Sequence, residues 1–148
     1  MSSLANLLLK WKSRTREYQD AQAYIQKVLA LPFNEVKQQA LNLIADSHRF
    51  HTIEAPPANN PAIERLGPVL REFFSRFESV RDMQGDFYVG RSAIGDSCLR
   101  PGFVKIGSDF ESSELVVRPG EDRVFIVTDP EHRLDGLPTI YHNICLLA

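Results

Sequence analysis

The spacing of the apolar residues changes once along this chain, at Gly85, and that change constrains the fold more than any other feature. Before it, apolar side chains recur every three or four residues, which places them on one side of a helix. From Ser3 to Leu29 they fall at Leu4, Leu7, Leu8 and Trp11, then at Tyr18, Ala21, Ile25 and Val28, the pattern of one long helix or two shorter ones. Pro32 ends that stretch. Asn34 and Glu35 open a second helix with Val36, Ala40, Leu43 and Ile44 on its apolar side, and Phe33 is placed to staple its entry. Leu70, Phe73, Phe74, Phe77 and Val80 predict a third helix within Leu66 to Val80, its aromatic stripe in the core.

Beyond Gly85 the apolar runs become short, β-branched and aromatic: Phe87–Val89, Phe103–Ile106, Glu114–Val117, Arg123–Thr128 and Thr139–Leu147 are predicted strands. Pro119-Gly120-Glu121-Asp122 supplies turn residues, so Glu114–Arg118 and Arg123–Thr128 should pair as an antiparallel hairpin. Helices first and strands afterwards is the order of an α+β fold, here N-terminal helices followed by a mainly antiparallel sheet. With 148 residues, 43% hydrophobic and 24% charged, the expectation is one domain. A chain of this size buries roughly 68–70% of its unfolded surface and needs no metal or disulfide to hold it. Within it, residues 1–53 read as a helical segment, 54–61 as a linker rich in proline and asparagine, and 62–148 as a helix plus sheet.

Two cysteines, Cys98 and Cys145, are too few for a disulfide scaffold and have no paired zinc spacing, which points to a reducing compartment, the cytoplasm. No run approaches the roughly 18 apolar residues that span a bilayer, so no integral membrane association is expected. Leu4–Leu9 is broken by Asn6 and followed by Lys10, Trp11 and Lys12 with no small-residue cleavage site, unlike a secretory signal. Lys10, Lys12, Arg14 and Arg16 around Trp11 would suit lipid, nucleic acid or an import machine, but the favoured expectation is a docked amphipathic helix with a solvated basic face. Residues 1–80 carry ten basic and eight acidic side chains and residues 81–148 seven and eleven, so the halves stand at +2 and −4. The acidic C-terminal half argues against a nucleic-acid partner.

No phosphate-loop, dinucleotide, nucleophile-elbow or HExxH string occurs. Cys98, His142 and an aspartate are the residue types of a nucleophile, base and orienting acid, and a small cysteine- or histidine-dependent enzyme is the competing functional class. No spacing links them, and the expectation is no catalytic residue, no cofactor and no metal. His142 and Cys145, three apart in a predicted strand, should point to opposite sides. His48 and His51 sit three apart near a helix end but lack a third ligand.

From Leu66 to Val80 the chain reads L-G-P-V-L-R-E-F-F-S-R-F-E-S-V, and from Gly102 to Asp109 it reads G-F-V-K-I-G-S-D. These stretches, with the hairpin at Gly120 and the aromatic-containing last segment at Tyr141, resemble the SUKH superfamily over roughly residues 60–148. The chain departs from the family pattern where Gly67 separates leucine from proline and where Phe110-Glu111-Ser112-Ser113 replaces a glycine-rich loop. The resemblance implies a non-catalytic α+β domain, an immunity protein that neutralises a co-encoded bacterial toxin by covering its active site; a housekeeping adaptor is the alternative binder. Asp109, Phe110, Glu111 and Glu114 before the hairpin, and Glu121 and Asp122 at its tip, are the expected partner-binding residues, an acidic patch suited to a basic toxin cleft.

Overall fold

The computed structural model describes residues 16–56, 61–109, 113–128, 132–133 and 136–147. Its first helix, α1 (Arg16–Ala30), buries Ile25 and Val28, and Leu31 leads directly into Pro32 at the cap of α2 (Phe33–Ile44). There the Pro32 carbonyl accepts from the Glu35 and Val36 amides, starting the helix at Phe33, one residue before the expected Asn34 and with no side-chain cap. Val36, Ala40 and Ile44 form its buried stripe. The expected N-terminal part of the first helix, at Leu4 to Trp11 with its basic residues, lies outside the described residues.

After α2 the chain turns on Asp46, whose carbonyl accepts from Arg49 and Phe50, and enters β1 (Phe50–Glu54). This strand corrects the helical reading of residues 1–53. It pairs antiparallel with β2 (Phe77–Asp82), joining the N-terminal helices to the sheet. A 3₁₀ turn (Pro61–Arg65) then precedes α3 (Pro68–Arg76). Of the aromatic stripe, Leu70, Phe73 and Phe74 are helical, but Phe77 and Val80 already belong to β2. All five are buried, so the apolar spacing reports the core correctly while pairing with β1 overrides the helical period at its end.

Strands β3 (Phe87–Gly90), β4 (Gly95–Asp96), β5 (Val104–Asp109), β6 (Ser113–Val117), β7 (Phe125–Thr128) and β8 (His132–Arg133) complete an eight-stranded sheet. Its order is β1-β2-β3-β5-β6-β7-β8, with β4 beside β5, and every pairing is antiparallel. The predicted hairpin is β6–β7, in the register Ser113↔Thr128 to Val116↔Phe125. Gly107 and Ser108 lie in β5 opposite Val89 and Tyr88 rather than in a loop.

The expected last strand, Thr139–Leu147, is instead α4 (Ile140–Cys145). Thr139 caps it, accepting from the His142 amide, and all six helical residues are buried. Burial on every side removes the one-sided apolar pattern by which a helix is recognised, and the β-branched and aromatic residues then imitate a strand. Tyr141 on α4 meets Phe73 on α3 edge-on with centroids 5.8 Å apart, while Phe73 lies 5.1 Å from both Phe74 and Phe77. One core joins side chains of all four helices to those of β1–β3 and β5–β7, so the chain is a single α+β domain.

Candidate functional site

Alternation along the strands separates two sheet faces. Phe87, Val89, Leu115, Val117 and Ile126 point into the helix-covered core, whereas Val116, Phe125 and Val127 form a second, smaller cluster on the opposite face. Among the described residues no helix covers that second face. It is covered in part by the loop from Ser97 to Phe103, whose Leu99 and Phe103 pack on the small cluster.

Glu114 holds this loop. It projects from β6 on the same side as Val116 and is buried, accepting from Ser97 Oγ at 2.6 Å, the Leu99 amide at 3.1 Å and the Cys98 amide at 3.3 Å, with Lys105 Nζ at 3.8 Å. Burial alone would raise its pKa, but the Ser97 hydroxyl, the two amides and Lys105 together hold it below the ordinary carboxylate value.

The expected acidic patch is therefore corrected residue by residue. Asp109 is fully buried at the end of β5, opposite Phe87, and Glu114 is the loop clamp. Asp122 accepts from the Val69 and Leu70 amides at 3.2 and 3.0 Å, capping the start of α3 from a distant hairpin. Gly67 explains itself here, because a Cβ at that position would collide with the Asp122 carboxylate. Glu121 is exposed and stands 4.0 Å from Arg118. Phe110 and Glu111 lie outside the described residues. A loop position does not guarantee exposure, and three of the four described carboxylates are spent on the fold.

The helix-free face is aromatic and cationic, with half-buried Tyr88 and Phe103 on it and Phe125 buried beneath. Phe103 and Phe125 meet edge to face at 5.8 Å, the Arg118 guanidinium lies 5.4 and 5.1 Å from their centroids, and Arg100 stacks over Phe103 at 5.5 Å. Towards β1, Tyr88 lies over Gly90, where a Cβ would strike the ring. Its hydroxyl is 3.0 Å from Ser92 Oγ, and Arg81 caps the ring at 5.4 Å. Ile53, on the edge strand opposite Ser79, is 49% exposed. Sequence reasoning missed this face. Its signal was the run Leu115-Val116-Val117: three consecutive apolar residues in a strand require cover on both faces.

The candidate reactive groups are not assembled. Cys98 is exposed on the loop over the helix-free face, while His142 is buried in α4 on the helical side, its Nδ1 2.7 Å from Thr139 Oγ1. Burial lowers the His142 pKa and raises that of Cys145 to about 11, leaving imidazole and thiol uncharged. On a helix, His142 and Cys145 are near neighbours rather than on opposite sides as expected, but the Cys145 thiol donates to the Val36 carbonyl. His48 lies in the turn after α2 and His51 on β1, so no helix end joins them. Among the described residues no group of three or more His, Cys, Asp or Glu is placed to hold a metal ion, and no helix is long and apolar enough to cross a membrane. No protein-family model, curated protein or solved structure matches the chain.

Proposed function

We propose that this chain is a non-catalytic protein-binding domain whose partner docks on the helix-free face of the sheet. The observation that carries the reading is the organisation of that face: Tyr88 over Gly90, and Phe103 against Phe125, each capped by arginine and joined by strands of the central sheet. Aromatic and arginine side chains anchored on a rigid scaffold are the residue types that dominate protein interfaces. The resemblance to SUKH immunity proteins supplies the class of partner, a toxin domain encoded beside this chain and obstructed by it. Two unbridged cysteines, one of them exposed, suit the reducing cytoplasm.

The test is co-production with the product of the adjacent gene, reading growth protection and calorimetric binding. Ile53→Glu and Ser108→Glu, both on the helix-free face, should weaken binding at least about tenfold with unchanged melting temperature. Gln39→Trp on the exposed side of α2 should leave it unaltered. Absence of any complex overturns the toxin-partner reading, and a complex weakened only by Gln39→Trp overturns the choice of face.

A further inference from the structure

Resting on the docking reading above, we infer that the partner presents an acidic protein segment, with carboxylates seated on Arg81 and Arg100. Most cations near this face are already matched: Arg65 with Asp96, Arg91 with Glu78, Lys105 with Glu114 and Arg118 with Glu121. Arg81 and Arg100 are different. Among the described residues neither has a carboxylate within ion-pair distance, and each lies on an aromatic ring, Tyr88 and Phe103 respectively. The nearby carboxylates do not serve them, since Asp82 accepts from the Phe87 amide and Glu114 from the clamped loop.

The ring contacts bias what these guanidinium groups can bind. A guanidinium held over a ring at cation–π distance still has N–H groups free to meet a carboxylate as a fork, and the ring contact has already removed part of the side-chain freedom that filling the fork would cost. The same contacts disfavour the other anionic macromolecule with which an arginine-aromatic sheet face is compatible. Single-stranded nucleic acid needs open ring faces for its bases, and here arginines occupy them while Phe103 and Phe125 meet edge to face.

The sheet sets the spacing. Arg81 on β2 stands opposite Tyr88, which faces Ser108 on β5, and Phe103 beneath Arg100 lies five residues before Ser108, just ahead of β5. Two strand steps of about 4.8 Å across and five residues of about 3.3 Å along put the two seats roughly 20 Å apart, which an extended segment covers in about six residues. The occupant is thus a segment with carboxylates at both ends of such a span, rather than a single acidic side chain.

A fluorescent synthetic peptide with Asp-Glu pairs at its two ends and a Gly-Ser spacer is the probe, compared with its Asn-Gln counterpart and with an oligouridylate RNA, by anisotropy at low and high salt. Parent protein should bind the acidic peptide, more weakly as salt rises, and bind the amide counterpart at least about tenfold less well. Arg81→Gln with Arg100→Gln should abolish the preference while thermal melting stays unchanged, and the double lysine variant should restore it only partly because the fork is gone. Equal binding by parent and double glutamine variant, no binding of the acidic peptide, or arginine-dependent preference for the RNA each overturns the inference. If the adjacent gene product still binds in a manner sensitive to Ile53→Glu but indifferent to both arginines, the acidic chemistry falls while the docking face stands.

Discussion

Glu114 shows how one residue decides between two accounts of the same loop. Its pKa is lowered on folding, so the folded state binds fewer protons at this site; the stability it contributes is present above the ordinary value of 4.5 and is lost as pH falls through the lower folded value. Glu114→Gln should cost about 1.5–3 kcal/mol at neutral pH, the usual worth of hydrogen bonds to a charged group. Urea unfolding across pH checks this: the difference between parent and variant should shrink in acid. His142 has the same acid sensitivity from the opposite chemistry. Burial lowers its pKa, so the neutral ring is the folded form, and stability should fall as pH drops below 6.5 until the lowered folded value is passed. His142→Gln should flatten the slope of unfolding free energy against pH just below 6.5, and an unchanged slope would show that another group carries it.

At the scale of elements, the hairpin tip and α3 form one unit, because Asp122 caps a helix that begins more than fifty residues earlier. Asp122→Ala should lower stability by about 0.5–2 kcal/mol, the range for loss of a cap, while Glu121→Ala should change it by less than about 0.5 kcal/mol. Equal effects in thermal melts would remove the cap from the account. Phe73 joins α3, β2 and α4 through its contacts with Phe74, Phe77 and Tyr141, and Phe73→Ala should cost about 3–5 kcal/mol by denaturant unfolding. The aromatic stripe was legible because a helix facing a core repeats its apolar residues, and so was the hairpin, because Pro119-Gly120 falls between alternating runs. The nature of α4 was not legible, since a helix buried on all sides has no polar side to set its period. Strand β1 was missed for another reason: Phe50-His-Thr-Ile-Glu54 has only one buried side chain, and its strand character comes from pairing with β2.

For the whole molecule, β1 and the Val36–Ala40–Ile44 stripe make the N-terminal helices part of one core, so unfolding should be a single cooperative transition. The same architecture puts all described helices on one side and leaves the other to the clamped loop and its arginine-aromatic surface. That surface was hidden in the sequence because its members come from β2, β3, the 97–103 loop, the end of β6 and β7, which only the strand order brings together. The central claim, that a partner docks there, is tested most directly by a photo-crosslinker on the exposed thiol of Cys98, which stands on this face, compared with one placed at residue 39 in a Cys98→Ser, Gln39→Cys variant. Docking on the helix-free face predicts covalent capture of the adjacent gene product from position 98 and none from position 39, and capture from position 39 alone would contradict it.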